Sequence, residues 1–364
     1  MNAIFVRSPF FISINETDQL LTKVELYIYK ANESEPATPT ITLQKQIPDT
    51  VNRSCLFNIS PYIKDYIELS NTGYAVVADE DFNIWRKVTV KRYWKEDPAD
   101  VWNELADLEY IAVNGYTSYS IGSQQAIVAN VLYLRNPSVR IKGNSLNNYF
   151  NALVDFDNTS GDNLILRYRT LSDVLVEDVT VFDEEDASGV YLLKIPYRTS
   201  DPDMADGGSV QILYDTTSET EQRFKLTFVN QEECLYTPVV CTFVNSYGGW
   251  QFLTFFKQRT DTYDITSKEF KLLANNPADY NKQRGQSQSF NHELTQTVKL
   301  NTDWVDENTI ELLVELLTSE TILLDNVPVK LATKNISKKT RLKDGLINYE
   351  MDFIYNFNLI NDVD

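Results

Sequence analysis

Short segments in which apolar and polar residues alternate recur along this chain, and this period of two constrains the fold more than any other feature. One such segment runs from Lys23 to Tyr29. Its Val24, Leu26 and Ile28 side chains share one face of an extended strand, with charged and tyrosine side chains on the other. Residues 85–94 repeat the pattern. Both segments predict half-buried antiparallel strands.

A series of short strand-like segments fills the middle of the chain, separated by Gly, Asp, Ser and Pro. They are Leu164–Arg169, Val174–Phe182, Val190–Ile195, Ser209–Tyr214, Arg223–Val229, Pro238–Asn245 and Gly249–Lys257. No long helical pattern separates these segments. The spacing therefore favours an antiparallel sandwich or barrel over a parallel α/β sheet.

Helical patterns are few. Ser60-Pro61 and Asp97-Pro98 each offer an N-cap and a first-turn proline, which predicts two short helices. One longer amphipathic helix is predicted over Asp306–Ser319, with an apolar face formed by Ile310, Leu313, Val314 and Leu317. Two strands, Thr321–Leu331 and Ile347–Phe357, are predicted to close the chain.

These patterns predict a mainly β protein of consecutive antiparallel sandwich or barrel domains, with a few short helices and one amphipathic helix near the C-terminus. Its 364 residues fit two or three domains. We expect an N-terminal β-rich domain at 1–115, a central β-sandwich at 116–260 and an α+β domain at 261–364. The last contains a polar, aperiodic segment, 275–296, which predicts an exposed loop or an arm that orders on a partner.

Charge and composition narrow the function classes. There are 33 Lys and Arg against 52 Asp and Glu, a formal net charge of −19. Nucleic-acid binding draws on clustered basic residues, so DNA binding is not expected. A membrane span is not expected either, because no apolar run reaches about 18 residues. Residues 1–14 are interpreted as a first strand rather than a signal peptide. Cys55, Cys234 and Cys241 predict reduced, partly buried thiols.

Residues that carry most catalytic chemistry are scarce, with one His and three Cys in the chain. His292 lies in the polar segment and is predicted to be solvent-exposed. Two loops, Asp155–Asp162 and Asp201–Gly208, alternate oxygen side chains as cation loops do, but the same residues are common turn formers. Whether these loops bind calcium stays open. We expect no catalytic residues, no cofactor and no dedicated metal site.

The order of residues near position 240 is distinctive, and the C-terminal region has a matching set of features. The quoted residues are Glu232-Glu233, Pro238, Asn245-x-Tyr247-Gly248-x-Trp250-Gln251, Phe252, Phe255, Phe256, Asn301–Trp304, Leu312–Ser319, Pro328-Val329 and Asn348-Tyr349. This order resembles virion proteins of tailed phages that infect Bacteroidetes. The resemblance covers about residues 225–364, with a weaker echo at Phe57–Ile63.

The resemblance implies a structural subunit of the virion tail, in a hub, ring or baseplate, and crAss-like podoviruses are one candidate source. It implies a homo-oligomeric ring, assembled in the bacterial host cytoplasm, that contacts other tail or portal-proximal proteins. DNA would pass through this ring during ejection without specific binding, and no enzymatic activity is implied.

Candidate interface and turn residues fall in three places. Asn245, Tyr247, Gly248, Trp250 and Gln251 are predicted to form a shaped hairpin. Gln283, Arg284 and Phe290 belong to a predicted docking arm, and Trp304 is predicted to anchor the terminal helix to its sheet.

Two other functions stay open on the residues alone. A carbohydrate- or receptor-binding module would use exposed Trp and Tyr side chains to stack on sugar faces. A depolymerase would need only two carboxylates beside the scissile bond, and sequence spacing does not show which acids pair.

Overall fold

The structure is a computed structural model of the chain. It describes residues 2–30, 32–47, 54–69, 79–80, 84–120, 132–133, 138–143, 149–156, 163–182, 189–215, 220–272, 283, 286–307, 309–337 and 346–358. Strands dominate these ranges, which contain two α-helices. The predicted fold class, mainly β with sandwich-like domains, is confirmed.

The chain forms two compact units. Unit 1 contains Met1–Glu232, Thr242–Leu253 and Thr318–Glu320. Unit 2 contains Glu233–Cys241, Thr254–Leu317 and Thr321–Asp364. The predicted division at 115 and 260 stays a prediction.

The first part of unit 1 is a five-stranded sheet in the order β1-β8-β7-β3-β4, with a separate β2-β5 pair. Val24, Leu26 and Ile28 are buried in its core, which confirms the predicted alternation. The pairing is antiparallel except for β1, which lies parallel to β8. The elements are β1 Asn2–Phe5, β2 Phe11–Ile14, β3 Leu21–Tyr29, β4 Ile41–Gln46, β5 Cys55–Asn58, α1 Ser60–Lys64, β6 Asp79–Glu80, β7 Trp85–Lys95 and β8 Asn103–Val113.

The helix predicted at Asp97-Pro98 is wrong, since residues 96–100 form a turn between β7 and β8. The Asp97 carboxylate accepts the Ala99 N–H at 2.9 Å, and the Asp100 carboxylate accepts the Asp97 N–H at 3.2 Å. Aspartate side chains that bond nearby backbone groups favour turns as readily as helix starts. The helix at Ser60-Pro61 is confirmed as α1, although Ile59 occupies the cap position.

The second part of unit 1 is a sandwich of two sheets, in the orders β10-β16-β15-β12-β13 and β6-β14-β11-β9. One apolar cluster contains Phe150 and Ile195 of one sheet with Leu166 and Ile212 of the other. The five strands predicted over 164–229 are confirmed. The elements are β9 Leu132–Tyr133, β10 Ser138–Ile141, β11 Tyr149–Phe156, β12 Asn163–Thr170, β13 Leu175–Phe182, β14 Gly189–Pro196, a 3₁₀ turn Pro202–Met204, β15 Gly207–Asp215 and β16 Thr220–Asn230.

The remaining strands form a seven-stranded sheet in the order β18-β17-β21-β22-β23-β20-β19. Val298, Leu300, Met351 and Phe353 are fully buried on the paired strands β20 and β23. The elements are β17 Val239–Val244, β18 Trp250–Phe255, β19 Thr260–Lys271, β20 Ser287–Asp306, α2 Thr309–Thr318, β21 Ile322–Leu324, β22 Val327–Leu331 and β23 Leu346–Tyr355.

Two C-terminal predictions need correction. The long helix exists as α2, but its buried face includes Leu312 and Leu316, whereas Val314 is exposed. The single strand predicted over Thr321–Leu331 is a hairpin, β21–β22. Asp325 and Asn326 form its turn with φ angles of 45° and 68°, a left-handed pair that suits two-residue hairpin loops.

Candidate interaction surface

The turn between β17 and β18 is held together by the Asn245 side chain. Its Oδ1 accepts the N–H groups of Tyr247 at 3.0 Å and Gly249 at 3.1 Å. Its Nδ2 donates to Gln251 Oε1 at 3.3 Å. Asparagine favours such turns because its side chain can satisfy backbone donors that no strand partner reaches. The predicted hairpin is therefore present and internally bonded.

This turn is also fitted closely into unit 1. Gly248 has a φ of +83°, and a Cβ on it would lie 2.8 Å from the Asn114 nitrogen. The Trp250 N–H donates to Asn151 Oδ1 at 2.9 Å. Asn245, Trp250 and Gln251 are buried, and Tyr247 is partly buried. Their contacts within unit 1 account for these residue types, and a role in an oligomer interface stays a prediction.

The predicted polar arm turns out to be half strand. Residues 287–296 belong to β20, and Gln283 is exposed. Arg284 lies outside the described residues. The expectation of a loop or arm failed for 287–296 because strand patterns are recognised by one apolar face, and most side chains here are polar on both faces.

Strands β19 and β20 form a long hairpin, and in the outer part of this hairpin the described residues supply these two strands only. β23 pairs with β20 from Thr297 to Asp306 and supplies a third strand there. From the Tyr263–Gln296 pair to the Lys271–Ser287 pair, β19 and β20 pair with each other alone. We call Tyr263–Lys271 together with Ser287–Gln296 the ribbon. At about 3.4 Å per residue it is about 30 Å long.

Both faces of the ribbon carry exposed apolar side chains. On one face lie Tyr263, 58% exposed, and Ile265, 67% exposed. On the other face Phe270 and Phe290, 43% and 46% exposed, contact each other edge-to-face with ring centroids 5.6 Å apart. All residues of β19 are exposed. Among its described residues, the ribbon therefore has exposed apolar side chains on both faces and no hydrophobic core of its own.

Polar contacts hold the base of the ribbon. Arg259 donates to the Asp261 carboxylate from Nε at 2.9 Å and from Nη2 at 2.9 Å, and Gln296 Nε2 donates to Asp261 at 3.0 Å. The hydrogen bonds from Arg259 lower the pKa of Asp261 below its ordinary value. The carboxylate thus stays charged down to acidic pH and can keep its bonds to Arg259 and Gln296 there.

Trp304 lies beside a bulge in β20, and its predicted role as the anchor of the terminal helix stays a prediction. A break in register lies between Asn301 and Trp304, and Asp303 there has a φ of +66°. Asn301 Oδ1 accepts the Asp303 N–H at 2.8 Å, and Thr302 Oγ1 accepts the Tyr349 N–H at 3.0 Å. This bulge changes which side chains face the core, as bulges do. Trp304 is 56% exposed.

His292 and the three cysteines, which were weighed for chemistry, all lie among the described residues. His292 is exposed on the ribbon, as predicted, with Nε2 3.4 Å from Ser289 Oγ. Cys55, Cys234 and Cys241 are free thiols, and burial raises the pKa of Cys241. Among the described residues, no group of three or more His, Cys, Asp or Glu is placed to hold a metal ion.

The structure describes one of the two acidic loops in full and the other only in part. In Asp201–Gly208, the Asp201 carboxylate accepts the Asp203 N–H at 3.0 Å and caps the 3₁₀ turn before β15, which is the turn-forming interpretation. Most of Asp155–Asp162 lies outside the described residues. In the part of the chain that the structure covers, neither helix has the length and apolar character needed to cross a membrane.

The ribbon is the exposed surface feature that sequence reasoning missed. No strand is predicted over residues 260–271, although their apolar Tyr263 and Ile265 lie two residues apart. The sequence signal for this strand was the pair of apolar residues Tyr263 and Ile265, which share one face of an otherwise polar segment. Alternation this weak does not separate a strand from a loop.

No protein-family model matches this chain, and no curated protein matches it. The resemblance to phage virion proteins therefore rests on the quoted residues and stays a prediction.

Proposed function

We propose that this protein is a structural subunit of a tailed-phage virion that assembles as an oligomeric ring in the tail hub, the baseplate or the head-to-tail region. The observation that carries the assembly part is the ribbon. About 30 Å of two-stranded sheet has exposed apolar side chains on both faces. The residue order around Asn245–Gln251 supports the virion part.

The physical argument concerns the stability of two strands in water. A hairpin with no third strand and no packed face is marginally stable. Apolar side chains grouped on such a surface are typical of sites that another molecule covers. A ribbon that gains its packing from a neighbouring subunit would be ordered in the assembly, and a head-to-tail contact that closes generates a ring.

The net charge of −19 fits a ring through which DNA passes. Acidic walls do not form the fixed phosphate contacts that basic residues make, so DNA would slide without binding. Other tail or portal-proximal proteins would be the lasting partners. A map of the assembled ring with a channel lined by Lys and Arg would contradict this part.

The assembly is tested on the purified full-length chain by mass photometry and negative-stain imaging. We expect closed rings whose fraction rises with concentration. A ribbon variant, Phe270→Ser with Phe290→Ser, should reduce the ring fraction, whereas Leu235→Ser, which removes another exposed apolar side chain, should not. A chain that stays monomeric at high concentration would count against ring assembly.

The virion role is tested separately by immunogold labelling of phage particles encoded by the same genome. We expect label at the tail or at the junction of tail and head. Label confined to infected-cell lysate, with none on purified particles, would reject the virion role even if rings form. The proposal assigns no reaction, and release of reducing ends from host capsule by the pure protein would overturn that.

A carbohydrate- or receptor-binding module is the second candidate, favoured by the exposed Trp304 and Tyr263. Aromatic faces open to solvent can stack on sugar rings. Glycan-array binding that is lost in Trp304→Ala and kept in a matched Phe357→Ala variant, which removes another exposed aromatic ring of unit 2, would support this candidate.

A further inference from the structure

The outer edge of β19 is the longest open strand edge that the structure describes at the end of a sheet. β19 is the last strand in its sheet order and has 12 residues. The register shift in the hairpin places two residues of β20, Asn291 and His292, opposite Ser267 of β19. The extra residue is therefore on β20, and β19 itself runs without a bulge. An open, regular edge of this length is a template for pairing with another strand.

Four of the five charged residues of β19 are arranged symmetrically, with opposite sign, about Thr266, and the fifth, Glu269, lies opposite the uncharged Tyr263 in that arrangement. Asp264 lies two residues before Thr266 and Lys268 two residues after it. Asp261 lies five residues before and Lys271 five residues after. In an antiparallel pair of identical strands, residues equally far from the two-fold axis on opposite sides face each other. An axis at Thr266 would therefore bring opposite charges together.

We propose that β19 pairs in antiparallel fashion with β19 of a second copy of this chain, across a two-fold axis at Thr266. Asp264 of each copy then faces Lys268 of the other, and Asp261, whose carboxylate also accepts hydrogen bonds from Arg259 of its own chain, faces Lys271. Opposite charges placed directly across two strands stabilise their pairing, and here each pair occurs twice.

Neighbouring registers lose this match. A shift by one residue in one direction places Asp264 opposite Glu269, a like-charge pair that opposes association. A shift by one residue in the other direction leaves neither aspartate opposite a lysine. Either shift also pairs residues from opposite faces of the strand. The charges on this edge therefore favour one register and disfavour its neighbours.

The lysines on an open edge have a second common use, as guards against aggregation. Lysines that only prevent aggregation need no symmetrically placed partners. Here, an aspartate lies as many residues before Thr266 as each lysine lies after it. Pairing over Asp261–Lys271 would form about ten backbone hydrogen bonds, which is typical of a specific protein interface. The opposite edge of the ribbon differs, since the Leu294 N–H there already donates to Asn358 Oδ1 at 3.0 Å.

The inference goes beyond the proposed function and does not depend on it. A two-fold contact through the β19 edge joins two copies, or two rings face to face, and leaves ring closure to the apolar faces of the ribbon. It would stand if the protein had no place in a virion. Conversely, rings without β19 pairing would leave the proposed function intact.

The first experiment measures dimerisation of the full-length chain by sedimentation equilibrium. Asp264→Lys and Lys268→Asp each place like charges across the axis, so each should raise the dimer Kd by about tenfold or more. The double variant restores opposite charges and should return the Kd to within about threefold of the wild type. Glu109→Lys, at an exposed position of β8, changes the net charge as Asp264→Lys does and should leave the Kd unchanged.

The second experiment reads the register directly. In a Cys234→Ser background, which removes the exposed native thiol, Thr266→Cys places two thiols at the axis with Cα atoms about 5 Å apart, within disulfide reach. Thr262→Cys places its two thiols about 26 Å apart. Mild oxidation should give covalent dimers of the first variant and not of the second.

Two results together would support the pairing of β19 strands, and any one of three would overturn it. Rescue by the double variant together with selective crosslinking at position 266 supports the pairing. A wild-type chain that shows no dimer at 100 µM, a double variant that does not recover, or crosslinking at 262 as efficient as at 266 would overturn it.

Discussion

The first two hairpins that follow residue 238, β17–β18 and β19–β20, differ in where their side chains lie. β17 and β18 have six residues each, and every one is buried. β19 has 12 residues, and every one is exposed. In the first hairpin the residue types are explained by contacts within the molecule, whereas in the second they are not. Substitutions should therefore affect folding in the first hairpin and association in the second.

The largest loss of stability is expected for Gly248→Ala. Its positive φ disfavours any side chain, and the added Cβ would lie 2.8 Å from the Asn114 nitrogen and 2.9 Å from Val113 Cβ. Together, the backbone strain and the overpacking should lower the free energy of unfolding of unit 1 by about 2–4 kcal/mol. Differential scanning calorimetry measures this loss.

Gly189→Ala is the matched control for that variant. A Cβ at this position would meet its nearest atom, in the Tyr191 side chain, at 3.4 Å. The substitution should change the same transition by less than about 0.5 kcal/mol. Equal losses in the two variants would mean that the turn at Gly248 is less closely packed than its geometry indicates.

Asn245→Ala should follow, with a loss of about 2–3 kcal/mol. The substitution removes the acceptor of the Tyr247 and Gly249 N–H groups in a buried turn, and unpaired buried donors are costly. Thermal unfolding of this variant beside Asn103→Ala, at an exposed strand end, isolates the effect of the turn. If the two variants melted alike, the side chain would not be what holds the hairpin closed.

Much of the fold could be predicted from the sequence because most strands bury one face. Alternation at Val24, Leu26 and Ile28 identified β3, and the strands over 164–229 were found by the same rule. The rule failed for β19, because a strand exposed on both faces has no apolar period to detect. The alternation rule therefore misses strands that, like β19, bury neither face.

The candidate site was harder to predict for two physical reasons. Asn245 and Gly248 were recognised as turn residues, but their burial depends on distant positions such as Asn114 and Asn151. Trp304 is predicted to anchor the terminal helix to its sheet, and beside the bulge at Asp303 it is 56% exposed. Contacts between residues distant in sequence and local breaks in strand register produce no periodic sequence pattern. They could therefore not be predicted from periodicity.

A smaller, pH-dependent effect concerns the segment Thr318–Glu320, which belongs to unit 1 beside β17. Ser319 Oγ accepts the Val244 N–H at 3.2 Å, and Lys64 donates to Glu320 at 2.8 Å. Lys64, with a further contribution from Arg7, lowers the pKa of Glu320 below its ordinary value of 4.5. A lowered folded pKa contributes stability above the unfolded value that is lost as the pH falls through the folded value.

Glu320→Gln should therefore cost less than about 1 kcal/mol at pH 7, because the carboxylate is half exposed and its ion pairs are screened. The difference from the wild type should shrink as the pH is lowered below 4.5. Melting temperatures of both proteins from pH 7 to pH 3 measure it. A difference that grew on acidification would reverse the assigned sign.

The smallest effect on folding is expected on the ribbon, and it tests the comparison most directly. Ile265→Thr keeps a β-branched side chain on an exposed strand, so the unfolding free energy of the dilute protein should change by less than about 0.5 kcal/mol. Val298→Thr makes the same kind of change on the same face of the hairpin at a fully buried position, and should cost about 1–3 kcal/mol. If Ile265→Thr cost as much as Val298→Thr, the ribbon would already be packed by its own chain. Its apolar face would then be unavailable to a partner, and the contrast between the two hairpins would disappear.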